Sequence, residues 1–194
     1  MAWKFRPTLF YAPVLALAAL GCASGDPNEG LVLNPALPTA RVGESLTIST
    51  QPLEELATEP EWEIQEFHGG GFTQSRGFSI TYVAPPAAGT YHLVARATRP
   101  DGSRFKQVVE VKVLADPRIE PATASMTPGS SRSFAARMRG LPRPTVTWTV
   151  EEPEGGTISP EGQYTAPSQP GTYHIIATST VDPTVSASAT VRVE

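Results

Sequence analysis

The feature that most constrains the fold of this chain is an internal repeat. The segment 82–85 (Tyr-Val-Ala-Pro) precedes 89–92 (Gly-Thr-Tyr-His), and the segment 164–167 (Tyr-Thr-Ala-Pro) precedes 171–174 (Gly-Thr-Tyr-His). Upstream of these segments Trp62 corresponds to Trp148. The offset between the copies is 86 residues at the tryptophans and 82 residues at the downstream segments, so the first copy carries four extra residues in between. A repeat of roughly this length indicates two similar small domains in tandem.

The repeated units have the pattern of antiparallel β-strands. Apolar and polar residues alternate through 107–113, where Val109, Val111 and Val113 share one face, and again through 185–193. Such alternation is typical of strands with one buried and one solvated face. The 20 prolines and 16 glycines interrupt every helical window after residue 25, and they favour short strands joined by turns. We therefore expect an all-β fold of two β-sandwiches.

The N-terminal segment has the features of an export signal. Lys4 and Arg6 precede an apolar run of about 13 residues, which is too short to span a bilayer. The run ends at Gly21-Cys22, and a small residue before a cysteine resembles the bacterial lipobox, which implies a lipid on Cys22. The alternatives are an ordinary secretory signal and an uncleaved anchor. We predict a signal peptide at 1–21, a lipidated cysteine with a tether at 22–30, and sandwiches at 31–115 and 116–194.

The stretch from Val146 to Val193 carries a family resemblance. It contains Val-Thr-Trp-Thr-Val at 146–150, Gly-Gly-Thr-Ile-Ser at 155–159, Gly-Gln-Tyr-Thr-Ala-Pro at 162–167 and Pro-Gly-Thr-Tyr at 170–173. These motifs resemble the bacterial immunoglobulin-like domains that occur in tandem in envelope and surface proteins. The first copy is a more diverged member of the same kind. The resemblance implies tandem immunoglobulin-like sandwiches after a lipoprotein signal peptide, and it is poor in functional information.

The resemblance also implies which residues form the core. Trp62 and Trp148 take the position of the core tryptophan on the third strand, and Tyr91 and Tyr173 take that of the tyrosine corner. Two residues later, where antibody domains place a cysteine, stand Leu93 and Ile175. We expect their partners on the second strand to be Ile48 and Phe134, so that apolar contacts replace the disulfide. We name as structural core residues Trp62, Trp148, Tyr91, Tyr173, Leu93 and Ile175.

The sequence offers no catalytic, metal or cofactor motif. We expect His92 and His174 to be exposed strand residues, since alternation points them outward. The glutamates at 54, 55, 59, 61, 63 and 66 are expected to form a solvated acidic face instead of a calcium site or a carboxylate pair. A hydrolase would need His68 and one of these carboxylates to share a pocket. The net charge of −4 without a basic stripe argues against nucleic acid as a partner.

The most unusual segment is a glycine-rich loop between two aromatic residues. It comprises Phe67, His68, Gly69, Gly70, Gly71 and Phe72, and it lacks the Lys-Ser/Thr of a phosphate-binding loop. Aromatic residues are enriched in the cores of interfaces, so the loop is a candidate contact surface. The alternative is that Phe67 and Phe72 fold back onto their own sandwich.

From these observations we predict a function that involves no enzyme activity. We expect a lipid-anchored protein of the bacterial cell envelope, with the outer membrane favoured, whose sandwiches contact an envelope protein or a glycan. The membrane contact would be the lipid on Cys22. The alternatives are a carbohydrate-binding module, which needs a planar row of aromatics from Phe67, Phe72 and Phe78, and a structural spacer with no ligand.

Overall fold

A computed structural model describes residues 30–52, 56–142 and 145–194. Residues 31–194 form one compact unit. The strands of the first half are β1 (Leu33–Asn34), β2 (Thr39–Arg41), β3 (Ser45–Thr50), β4 (Glu61–Ile64), β5 (Gly71–Gln74), β6 (Ser79–Val83), β7 (Gly89–Thr98) and β8 (Arg104–Leu114). Those of the second half are β9 (Asp116–Glu120), β10 (Thr123–Met126), β11 (Ser131–Ser133), β12 (Ala135–Arg139), β13 (Val146–Val150), β14 (Thr157–Ile158), β15 (Gln163–Thr165), β16 (Gly171–Ser179) and β17 (Ser186–Val193).

The first sandwich consists of two four-stranded sheets. One has the order β1-β3-β6-β5 and the other has the order β2-β8-β7-β4. All neighbours are antiparallel except β2, which pairs in parallel with β8. Alternation in β8 buries Val109, Val111 and Val113 and leaves the residues between them exposed to solvent. The expected all-β architecture, with one buried and one solvent-exposed face in such a sheet, is confirmed.

The second sandwich repeats this arrangement with a broken second sheet. One sheet has the order β10-β17-β16-β13, with β10 parallel to β17. The opposite side divides into the sheet β11-β15-β14 and the pair β12-β9, because the extended stretch 131–139 is interrupted at Phe134, between β11 and β12. Phe134 is buried and packs edge-on against Tyr164, with ring centroids 6.1 Å apart. The two halves have separate apolar cores, one drawn from residues 31–113 and one from 119–193.

The offset between matching residues of the two copies shows where the first copy carries its four extra residues. The offset of 86 residues holds from Trp62 to Gly70, which correspond to Trp148 and Gly156. It changes only between β5 and β6, so the extra residues lengthen this hairpin. The glycine-rich loop therefore has a counterpart of equal length in the second sandwich, at 153–158.

A small set of close contacts joins the two sandwiches. The N–H of Ala88 donates to the carbonyl oxygen of Gly140 over 2.9 Å. A Cβ on Gly140 would lie 2.8 Å from Val42 and 3.2 Å from the Cα of Ala115, so the backbones meet without room for a side chain. Beside this junction the buried carboxylate of Asp116 contacts Arg118 at 3.1 Å and Arg139 at 3.5 Å.

Candidate functional site: the glycine-rich loop and its anchoring

The loop between β4 and β5 projects an aromatic side chain into solvent. Phe67 is 94% exposed, more than any other large apolar residue among those described. Its ring meets that of His68 edge-on, with centroids 4.6 Å apart and an interplanar angle of 71°. Phe72, at the far end of the loop, packs against the core and lies edge-on to Tyr82. The two aromatics that bracket the loop therefore differ, and only Phe67 is free to contact another molecule.

A tyrosine from the core holds the middle of the loop. Tyr82 is fully buried on β6, and its hydroxyl donates to the carbonyl oxygen of Gly69 over 2.5 Å. Burial raises the pKa of Tyr82 to about 12, with the charges of Tyr91 and Glu66 acting in the same direction. The hydroxyl therefore stays protonated and remains a donor at neutral pH.

Two glycines of the loop fit where side chains cannot. A Cβ on Gly69 would lie 2.4 Å from the Cγ2 of Ile64, and a Cβ on Gly70 would lie 2.2 Å from the carbonyl oxygen of Val83. Gly70 also has a φ of +101°, in the region that favours glycine. The loop lies directly on β6, and its backbone path is set by this close approach.

A glutamate–histidine pair fixes the start of the loop. One carboxylate oxygen of Glu66 accepts the backbone N–H of His92 over 2.9 Å, and the other contacts the Nδ1 of His92 at 2.6 Å. Partial burial alone would raise the pKa of Glu66, but these hydrogen bonds outweigh it and hold the pKa below its ordinary value. The expectation that His92 is a plain exposed residue is wrong in this respect. Alternation does point it outward, but Glu66 covers it and leaves its side chain 31% exposed.

The second sandwich has the same anchoring without the exposed aromatic. Glu152 binds the backbone N–H and the Nδ1 of His174 at 2.8 and 2.6 Å, so this histidine is likewise half-buried instead of free. The hydroxyl of Tyr164 donates to the carbonyl oxygen of Gly155 over 2.6 Å. Pro153 and Glu154 take the positions of Phe67 and His68. The anchoring is therefore a property of both folds, whereas the exposed phenylalanine belongs to the first alone.

A shallow depression of about 410 Å³ lies beside the loop. Its lining residues are Glu66, Phe67, His68, Gly70, Pro85, Pro86, Ala87 and Tyr91. His68 and Glu66 thus share a pocket, the condition that a hydrolase would require. However, both carboxylate oxygens of Glu66 are engaged by His92, and the lining holds neither a serine or cysteine nucleophile nor a second carboxylate. Apolar side chains of Phe67, Pro85, Pro86 and Ala87 make up much of the lining.

A larger open groove of about 790 Å³ lies across β4, β7 and β8. Its charged lining residues are Glu59, Glu61, Arg76, Arg96, Arg104 and Lys106. Arg76 binds Glu61 and Arg96 binds Glu63, so much of the charge is already compensated within the sandwich. The acidic residues expected on this face are solvated and lie among arginines, with the exception of Glu66. Glu54 and Glu55 lie outside the described residues.

The predicted core residues occupy the following positions. Trp62, Leu93 and Ile175 are buried, Tyr173 is 8% exposed, and Trp148 and Tyr91 are partly buried. The indole N–H of Trp62 donates to the carbonyl oxygen of Gly77 over 3.2 Å. The hydroxyls of Tyr91 and Tyr173 donate to the carbonyl oxygens of Ala87 and Gln169, each four residues earlier. Both tyrosines therefore make the backbone contact of a tyrosine corner.

The predicted signal peptide, Cys22 and most of the tether lie outside the described residues. Within the part of the chain that the structure describes, no helix is long and apolar enough to cross a membrane.

Sequence reasoning missed a group of side chains in the second sandwich that could hold a metal ion. The ligand atoms of Glu151, Glu152 and His174 all lie within 4.8 Å of one another. The available signal was the correspondence of Glu-x-x-Gly-Gly at 66–70 and 152–156. This correspondence places a glutamate after β4 and after β13, opposite the histidine that follows each corner tyrosine.

No protein-family model matches the chain. The cell surface glycoprotein MUC18 of Mus musculus is 25% identical in an alignment of 158 residues that covers 77% of this chain and 24% of that protein. The chain thus spans about a quarter of the length of the curated relative that it matches.

Several solved structures match the chain with TM-scores below 0.5. The insect immune protein hemolin has 16% identity and a TM-score of 0.44, with 81% of this chain and 44% of hemolin covered. The C-terminal 282-residue fragment of intimin, solved with the intimin-binding domain of its receptor, has 14% identity and a TM-score of 0.44, with coverage of 83% and 62%. The fibronectin(III)-like modules of Clostridium thermocellum CbhA have 16% identity and a TM-score of 0.31, with coverage of 84% and 93%.

The strand order decides the fold. In the first sandwich the two sheets face each other as β1-β3-β6-β5 and β2-β8-β7-β4, with β2 parallel to the last strand. This is the strand arrangement of an immunoglobulin-like domain with a split first strand. The protein is an all-β tandem of immunoglobulin-like sandwiches.

Proposed function

We propose that this protein is a lipid-anchored, non-catalytic component of the bacterial cell envelope that binds a protein partner through the glycine-rich loop of its first sandwich. The observation that carries the proposal is the exposure of Phe67 on a loop whose base is fixed. A phenylalanine buries about 150–250 Å² when it is fully covered. Isolated exposed aromatics are ordinary, but one that stands on an anchored loop beside a depression fits the anchor residue of an interface.

Preorganisation supports a role in recognition. Hydrogen bonds from β6 and β7 hold Gly69 and Glu66, and Gly70 lies close against β6, so the loop backbone needs little ordering when a partner arrives. Association costs about 0.5–1.5 kcal/mol for each flexible side chain that becomes ordered. A loop that is already fixed leaves more of the burial energy of Phe67 for affinity.

A protein partner is favoured over a glycan by the placement of the other aromatics. A planar row from Phe67, Phe72 and Phe78 would favour a sugar ring. Phe72 and Phe78 pack against the core of the first sandwich, so Phe67 stands without them. A depression lined by Pro85, Pro86 and Ala87 beside one phenylalanine offers apolar contact in place of a sugar platform.

Anchoring through Cys22 is the second part of the proposal. The apolar run before Gly21-Cys22 supports it, and metabolic labelling with radioactive palmitate tests it. The wild-type protein is expected to carry the label and Cys22→Ala to lose it. Label that persists in Cys22→Ala would refute lipidation at this residue.

Photocrosslinking in cells tests the contact surface. A benzophenone amino acid is placed at Phe67 and, as a matched control, at Leu37, which is 85% exposed elsewhere on the first sandwich. We expect one envelope protein to be captured reproducibly from position 67 and not from position 37. Equal capture of the same proteins from both positions would favour a structural spacer, in which no surface has a specific partner.

A further inference from the structure

The second sandwich brings two carboxylates to one imidazole nitrogen. The Nδ1 of His174 lies 2.6 Å from the Oε1 of Glu152 and 3.6 Å from the Oε2 of Glu151. The side chains are accessible, with 37% of His174 and 60% of Glu151 exposed. A cation could therefore reach the three ligand atoms from solvent.

The first sandwich provides a natural contrast. His92 also has two carboxylate neighbours, but Glu66 faces its Nδ1 at 2.6 Å and Glu110 faces its Nε2 at 3.8 Å. Carboxylates on opposite sides of the ring cannot bind one ion together with the histidine. The position of Glu151 is taken by Gln65 in this copy. The convergence on one nitrogen is therefore not a general consequence of the fold.

Among the described residues, no arginine or lysine forms an ion pair with the two carboxylates beside His174. Glu61, Glu63 and Glu120 each bind an arginine. Among those same residues, Glu151 and Glu152 form ion pairs only with His174. The anchoring of the loop uses Glu152 and does not require Glu151, as Gln65 demonstrates in the first sandwich. Carboxylate oxygens and an imidazole nitrogen are ligands that bind divalent zinc.

The geometry points to a zinc-binding site formed by Glu151, Glu152 and His174. Zinc binds histidine nitrogen and carboxylate oxygen at about 2.0–2.2 Å, which places tetrahedral ligands about 3.4 Å apart. The Oε2 of Glu151 already lies near this distance, 3.6 Å from Nδ1. The Oε1 of Glu152, now 2.6 Å from Nδ1, must move away by about 0.8 Å. The Oε2 of Glu152 can keep its hydrogen bond to the backbone N–H of His174, 2.8 Å away. Zinc binds the lone pair on Nδ1 of the neutral ring whose proton is on Nε2, so binding to a neutral His174 moves its proton from Nδ1 to Nε2 where needed, and binding to an imidazolium releases one proton to solvent.

Three protein ligands leave one tetrahedral position open. Water fills it in the isolated protein, because the site lies at the surface. The site is independent of the contact loop of the first sandwich, since its ligands all come from β16 and the residues after β13.

Isothermal titration of the purified full-length protein with zinc chloride tests the site. The wild-type protein is expected to bind one zinc ion per chain. Glu151→Gln, which makes the second sandwich resemble the first at this position, is expected to weaken binding at least tenfold. Glu154→Gln removes a neighbouring exposed carboxylate and is expected to leave the affinity unchanged. The reciprocal variant Gln65→Glu is expected to bind a second zinc ion at His92.

A nitrogen-15 spectrum of the histidine side chains locates the ion, because zinc should shift the Nδ1 signal of His174 in the wild-type protein. Failure of the wild-type protein to bind zinc, or equal affinity in Glu151→Gln, would overturn the assignment. A Gln65→Glu protein that still binds a single ion would refute the claim that two carboxylates at one nitrogen create the site.

Discussion

Gly156 shows at the scale of one residue why the repeated loops require glycine. Its φ is +89°, and a Cβ would lie 2.2 Å from the carbonyl oxygen of Thr165. Gly70 has the same two properties in the first sandwich. Gly70 belongs to the glycine-rich loop and Gly156 to the motif at 155–159, but the requirement for glycine comes from a neighbouring strand that only the fold brings near.

Gly156→Ala should therefore be more destabilising than an ordinary glycine substitution at positive φ. Gly129→Ala is the matched control, because Gly129 has a φ of +71° and a Cβ added there would have no atom within 4 Å. We expect the control to lose about 1–2 kcal/mol of unfolding free energy from backbone strain alone, and Gly156→Ala to lose clearly more because the backbone must also shift. Urea denaturation measures both values, and equal losses would contradict the steric argument.

The Glu66–His92 pair makes a pH-dependent contribution to the first sandwich. Since the pKa of Glu66 is lowered in the folded state, its contribution is present above the ordinary pKa of 4.5 and is lost as the pH falls through the folded value. We expect Glu66→Gln to reduce the dependence of unfolding free energy on pH in this acidic range. Glu59→Gln, which changes an exposed carboxylate of the same sandwich, should retain it. Identical pH profiles for the wild-type protein and Glu66→Gln would show that the pair contributes nothing.

Strands were predictable at the scale of the element, whereas loop anchoring was not. Alternation in 107–113 correctly indicated the buried face of β8, because local spacing alone determines which side chains share a face. The anchoring by Tyr82 depends on a hydrogen bond between residues 13 positions apart. Between β11 and β12, Phe134 likewise packs against Tyr164, which lies on another strand. Contacts of this kind leave no periodic signal in the sequence.

Removal of the Tyr82 hydroxyl should loosen the contact loop. Tyr82→Phe keeps the buried ring but leaves the carbonyl oxygen of Gly69 without its donor, a loss of about 1–3 kcal/mol if the oxygen remains buried. We expect faster amide hydrogen exchange in 66–70. Tyr91→Phe removes a different hydroxyl, bonded to Ala87, and should leave the exchange of 66–70 nearly unchanged. The opposite ranking of the two variants would show that Tyr82 does not hold the loop.

Direct contacts connect the sandwiches at the scale of the whole molecule. The shortness of 114–118 and the presence of Pro117 favour a stiff joint. The structure adds the hydrogen bond from Ala88 to Gly140 and the close packing of Gly140 on Val42. Ala88 follows directly after the Pro85–Ala87 side of the depression, so the junction and the contact loop lie at the same end of the first sandwich.

Gly140→Val should weaken this junction, because a side chain there collides with Val42 and Ala115. Residual dipolar couplings measured separately for each sandwich report whether the two share one alignment. We expect a common alignment in the wild-type protein and divergent alignments in Gly140→Val. Gly102→Val, at an open hairpin turn remote from the junction, is the control and should retain the common alignment. Unchanged couplings in Gly140→Val would show that the contact does not fix the joint.

The most direct test of the account is the affinity of the partner captured through position 67. Wild-type protein, Phe67→Ala and Leu37→Ala are compared by titration with that purified partner. Both substitutions remove an exposed apolar side chain, so nonspecific effects should be equal. If Phe67 anchors the interface, Phe67→Ala weakens binding at least tenfold and Leu37→Ala leaves it unchanged. Equal affinity of the wild-type protein and Phe67→Ala would contradict the central claim that the glycine-rich loop is the contact surface.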